Sequence, residues 1–189
     1  WWIKCLKDEG IYVWLDMHVE RALMARDNIF GFDELPKDQQ NNASLKGFAY
    51  VNITIQQAMK RFAEAYVTHV NPFTGLAYKD DPAIAAVLIT NENDVTQHFG
   101  NALLRDKGVP RHWELYKRRA DAFASQHNLS AGLTWRSWEH GPAKLFLNDL
   151  EQSFNVEMIQ HLRESGVKVP IVTTSSWGGD GLSSLPALT

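Results

Sequence analysis

The tightest constraint on this chain is the stretch DPAIAAVLITNEND, Asp81 to Asp94. Its middle, Ala83 to Thr90, is almost unbroken apolar sequence of strand length entered through Asp81-Pro82. A parallel strand covered on both faces reads this way. At its C-terminal end the composition switches at once to Asn91, Glu92, Asn93 and Asp94. Two carboxylates and two amides therefore stand where a buried strand meets solvent, the edge at which parallel α/β folds bind ligands and do chemistry.

The flanking sequence repeats the pattern. Residues 1–9 read as the last turns of a helix stopped by Gly10. Ile11 to Met17 follows as an apolar and aromatic strand, and its end carries Asp16, His18 and Glu20, which share one side if the extended conformation persists. Residues 21–52 lack steady periodicity, a long excursion of the kind that builds active-site walls. A helix capped by Thr54 then carries Ile55, Ala58, Met59, Phe62, Tyr66 and Val70 on one stripe. Beyond Asp94 the pattern predicts a helix over about 111–127, a segment at 129–135 equally readable as strand or loop, and a polar link over 136–144. A helix through Leu147, Leu150, Phe154, Met158 and Leu162 follows, closed by Gly166, and Val167 to Thr173 is the third strand. Strands alternating with helices predict a parallel sheet. A closed (β/α)8 barrel takes eight strands in about 250 residues, so three strands in 189 residues predict the middle of such a barrel, with both ends truncated.

Composition narrows the function classes. With 44% hydrophobic and 11% aromatic residues the chain can bury a core as one domain, 1–189. Net charge is −3, and the densest basic group, Lys107, Arg111, Lys117, Arg118 and Arg119, is diluted by Asp106 and Glu114. It reads as a solvated helix face, not a nucleic-acid footprint. No run has the length of a transmembrane helix, so no membrane partner is expected. Cys5, the single cysteine, reads as a small buried hydrophobe. The chain opens at Trp1, without a methionine and within a helical pattern, so its natural start is expected upstream and neither export nor oligomeric state is legible. The Asn-x-Ser/Thr matches at Asn42, Asn52 and Asn128 read as incidental.

Each singled-out residue has a plainer reading. Glu92 could be a strand-end carboxylate paired with a local base, and Asn93 and Asp94 could cap the next segment. Asp16, His18 and Glu20 suit sugar binding, a structural hydrogen-bond network or a metal site. Trp177, before a glycine-rich loop, is either a sugar-stacking platform or a core aromatic. Trp135 and Trp138 suit packing or an outer subsite.

The segments YVWLDMH, THVNPFTGLAYKDDPAIAAVLITNEN and LRESGVKVPIVTTSSW resemble strands three, four and five of the clan A glycoside hydrolases, the cellulase-like retaining enzymes on (β/α)8 barrels. The Asn-Glu pair after the buried strand carries most of this resemblance. It implies that Glu92 is the general acid/base, that Asn91 binds the sugar 2-hydroxyl, and that His18, with Asp16 and Trp177 nearby, lines the substrate site. It implies a carbohydrate substrate with β linkages, and no cofactor or metal. Retaining hydrolysis needs two carboxyl groups about 5–5.5 Å apart. The clan's nucleophile is a glutamate at the end of strand seven, expected outside this chain, so the chain alone is expected to be inactive. Glu139, in WRSWEHG, reads as a wall or subsite residue. A metal-dependent hydrolase using Asp16, His18 and Glu20, and a non-catalytic carbohydrate-binding relative, are the alternatives.

Overall fold

The computed structural model describes residues 1–19, 21–96, 99–135 and 141–173. Helix α1 (Trp2–Asp8) leads into strand β1 (Val13–Asp16), and a long excursion of short 3-10 turns leads to helix α2 (Ile53–Thr68). Strand β2 (Ile84–Leu88), helices α3 (Pro110–Gln126) and α4 (Pro142–Glu164), and strand β3 (Ile171–Val172) complete the order. The three strands form one parallel sheet in chain order, β1-β2-β3. The described residues are thus mixed α/β around a small parallel sheet; they do not close a barrel.

Alternation along the strands sorts the two faces of the sheet. Leu15, Met17, Val87 and Ile89 join the buried core with Ile55 and Met59 of α2 and with Leu150, Phe154 and Met158 of α4. Trp14 and Asp16 point to the opposite face, where Ala86 and Leu88 are their register partners. A register shift between Val13 and Trp14 marks the entry of β1. The expectation that β2 is covered on both faces is met except at Ala85, which is exposed.

The helices follow their sequence signals with specific corrections. Both α3 and α4 open on proline, whose fixed φ and missing N–H suit the first helical position. That start places 142–144 inside α4 instead of in a link. The cap of α2 is Asn52, whose side chain accepts from Thr54 N at 3.0 Å. Thr54 itself donates its hydroxyl to Asn52 Oδ1 and accepts from Phe30 N. Val70 lies beyond α2 and is exposed, and Cys5 is half-buried instead of buried. Residues 131–134 are turns, with Thr134 Oγ1 donating to Ala120 O at 3.0 Å. Trp135 packs edge-on against Trp113 and donates its indole N–H to Asp121. No helix among the described residues is long and apolar enough to cross a membrane.

Candidate functional site

Parallel pairing brings two of the polar strand ends together. Asp16 lies opposite Leu88, and Met17 N donates to Leu88 O at 3.0 Å. The residues after β1 and those after β2 therefore leave adjacent strands at the same edge of the sheet.

After β1 the chain bends at once. The backbone N–H of His18 makes a long contact, 3.4 Å, to Asp16 Oδ1, and 17–19 are bends, not extended strand. The expected alternation of Asp16 and His18 on one side is therefore not what occurs: Asp16 stays half-exposed while His18 turns inward to 3% exposure. Glu20 lies outside the described residues. Burial raises the pKa of the Asp16 carboxyl, opposed by the His18 and Val19 amides and the Lys46 charge. The His18 ring rests against Phe62, centroids 5.2 Å apart, and neither ring nitrogen has a hydrogen-bond partner among the described residues. Burial, aided by the positive charge of Arg21, holds its pKa down at about 3. The imidazole is therefore neutral near pH 7, offering one donor and one acceptor.

After β2 the turn is made at Glu92, whose backbone is left-handed at φ 49°. A residue with a Cβ disfavours that region by roughly 1–2 kcal/mol. The turn leaves Asn91 and Glu92 half-exposed and carries Asn93 and Asp94 into the interior. Asn93, read as a candidate cap of the next segment, is instead engaged in longer-range ties. Asn93 Oδ1 accepts from Gly47 N at 2.7 Å, and its carbonyl accepts from the Tyr50 hydroxyl. Gly47 has φ 78°, and a Cβ there would lie 2.6 Å from Phe99 Cβ, so glycine is required for this approach. From α4, Glu151 Oε2 accepts from the amides of Val95 (3.1 Å) and Thr96 (3.3 Å). Burial and the neighbouring Asp94 push Glu151 up to about 7. Lys144 donates to Thr96 O. The segment bearing Asn91 and Glu92 is thus anchored from the 47–50 turn and from α4.

Beside the end of β1 a cleft of about 390 Å³ opens between His18 and the 36–46 part of the excursion. Bridges from Leu23 and Lys37 to Ala43 hold that wall in shape. Arg21, Lys37, Asp38, Ser44 and Lys46 contribute polar groups to the cleft, whereas Asn91 and Glu92 do not line it. No group of three or more His, Cys, Asp or Glu among the described residues is disposed to hold a metal ion.

Sequence reasoning missed the anchors, Tyr50 and Glu151, and the cleft cations. Glu151 falls on the buried stripe of α4, one position after Leu150, and a glutamate there is the signal that could have exposed it. Trp177, Trp138 and Glu139 lie outside the described residues. Comparison with protein-family models, curated proteins and solved structures returned no match to this chain.

Proposed function

We propose that this chain supplies part of the catalytic face of a retaining glycoside hydrolase of the cellulase-like clan, built on a (β/α)8 barrel and acting on β-linked glycans. In this reading Glu92 protonates the glycosidic oxygen as the bond breaks and then deprotonates the water that releases the sugar. Asn91 hydrogen-bonds the 2-hydroxyl, and Asp16 and His18 line the sugar site, with Trp177 as a stacking platform. The nucleophile is a second glutamate from a further strand of the barrel.

The observation that carries the reading is Glu92 itself: a half-exposed carboxylate in strained backbone at the C-terminal edge of a parallel strand. Strained backbone persists where surrounding structure enforces it, and such positions concentrate at functional sites. The anchoring of Asn93 and Val95 immediately after it supplies that enforcement. A neutral imidazole with two unpartnered nitrogens after the adjacent strand is suited to sugar hydroxyls.

The test is Glu92→Gln in the protein that carries this chain, assayed on β-linked oligosaccharides. General acid/base catalysis is worth about 10²–10⁴-fold. Turnover of substrates with poor leaving groups is expected to fall by that factor while saccharide binding persists. Unchanged turnover in the variant overturns the assignment, and binding without turnover in the parent protein favours a non-catalytic carbohydrate-binding relative.

A further inference from the structure

The cleft beside β1 combines two kinds of recognition. On one wall is the buried His18 ring, both of whose nitrogens lack a hydrogen-bond partner among the described residues. Around it stand Arg21, Lys37 and Lys46, none of which forms an ion pair with a described residue. Arg21 is fixed in place: it donates to Ala58 O at 3.0 Å and its guanidinium lies 4.5 Å from the centre of the Phe62 ring. Lys37 donates to Asp33 O at 3.3 Å, and Lys46 lies over the Phe99 ring. Among the described residues lining the cleft the one carboxylate is Asp38, which is already engaged by Asn42 N (2.8 Å), Asn42 Nδ2 (3.0 Å) and Gln40 N (2.9 Å). Among the described lining residues three cations thus face the cleft against one carboxylate turned to its own loop, while Asp27, Asp33 and Asp16 act on Arg21, Lys37 and Lys46 from outside the lining.

A neutral glycan brings no charge to these cations, and a bare inorganic anion can accept from the imidazole N–H but leaves its acceptor nitrogen unmatched. A ligand matching both features carries hydroxyls and an oxyanion on one ring, since cationic side chains make charge-assisted hydrogen bonds to carboxylate or sulfate. The cleft volume, about 390 Å³, falls within the range of small-molecule sites. We propose that this cleft binds an acidic sugar, a unit of the glycan bearing a carboxylate or a sulfate group, with His18 on its hydroxyls and Arg21, Lys37 and Lys46 around its charge. This deepens the glycosidase reading and rests on it for the choice of a saccharide.

Titration calorimetry on the protein that carries this chain tests it with a β-linked tetrauronate, a sulfated β-linked tetraglucoside, the same tetraglucoside unmodified, and sodium sulfate. The tetrauronate, the sulfated tetraglucoside or both are expected to bind at least tenfold more tightly than the neutral one, with the advantage shrinking as salt is raised. The preferred acidic probe identifies the group. The double variant Lys37→Gln/Lys46→Gln is expected to abolish the preference, and Lys37→Arg/Lys46→Arg to retain it. Equal binding of acidic and neutral probes overturns the inference, as does sodium sulfate binding as tightly as either acidic saccharide. The two readings fail separately. Loss of turnover in Glu92→Gln without any charge preference removes only the acidic-sugar inference, and a charge preference with full turnover in Glu92→Gln removes only the assignment of Glu92.

Discussion

Two buried titratable side chains flank the candidate site, and their protons oppose each other. Glu151 is held up at about 7 from an ordinary value of 4.5. Between those values the folded state keeps a proton that the unfolded state has lost, so this group's contribution falls as pH rises from about 4.5 to about 7. His18 is held down at about 3 from 6.5. Between those values the unfolded state binds the proton and the folded state does not, so its contribution is lost as pH falls from about 6.5 towards 3. Over roughly pH 4.5–6.5 the two slopes largely cancel, each being about 1.4 kcal/mol per pH unit per proton. Glu151→Gln keeps a carbonyl oxygen for the Val95 and Thr96 amides but removes one slope. Urea denaturation across pH 4.5–7 is therefore expected to show stability rising more steeply with pH in Glu151→Gln than in the parent. Parallel curves for the two proteins would rule out a protonated Glu151 behind the acid-bearing loop.

At the scale of elements, the helix caps and loop anchors show what the sequence conveyed and what it withheld. Strand β2 and the stripe Leu147, Leu150, Phe154, Met158 and Leu162 were legible because burial imposes a period on the sequence, and all five of those side chains are buried. The polar residues that leave β1 and β2 at one edge were legible for the same reason. The long-range ties were not, because no local period links Asn93 to Gly47 or Glu151 to Val95. The α2 cap illustrates the difference. Thr54 and Asn52 both have capping chemistry, and the choice falls to Asn52 because its amide also donates to Phe30 O at 2.8 Å and faces His112 Nε2 at 2.9 Å. His112 Nδ1 in turn meets Glu34 Oε2 at 2.8 Å, so the cap ties together the excursion, α2 and α3. Removing a cap costs about 1 kcal/mol, and leaving buried polar groups unpaired adds about 1–3 kcal/mol. Asn52→Ala is accordingly expected to cost about 2–4 kcal/mol in chemical denaturation, and Thr54→Ala less. Equal losses would return the cap to Thr54.

Across the whole molecule, burial is uneven in a way that bears on association. The helices cover one face of the sheet through Leu15, Met17, Val87 and Ile89, while Trp1, Trp2, Ile11, Tyr12 and Trp14 cluster in sequence around α1 and the edge strand β1 and remain exposed. Tyr12 is 75% and Trp2 72% exposed. An edge strand also presents backbone donors and acceptors without a strand beside them, a template for pairing with another chain. In the proposed barrel a neighbouring strand and helix occupy this side, and for the 189-residue chain in solution a second copy is the cover at hand. Burying apolar surface yields about 25 cal/mol per Å², so several aromatic side chains together supply a substantial drive to associate. Sedimentation velocity over a micromolar concentration series is expected to show reversible growth in mass, suppressed by Tyr12→Glu/Trp14→Glu. Both substitutions fall at exposed positions, so the far-UV circular dichroism of the variant should match the parent. A parent chain that stays monomeric throughout the series would show that the aromatic cluster is stable facing water.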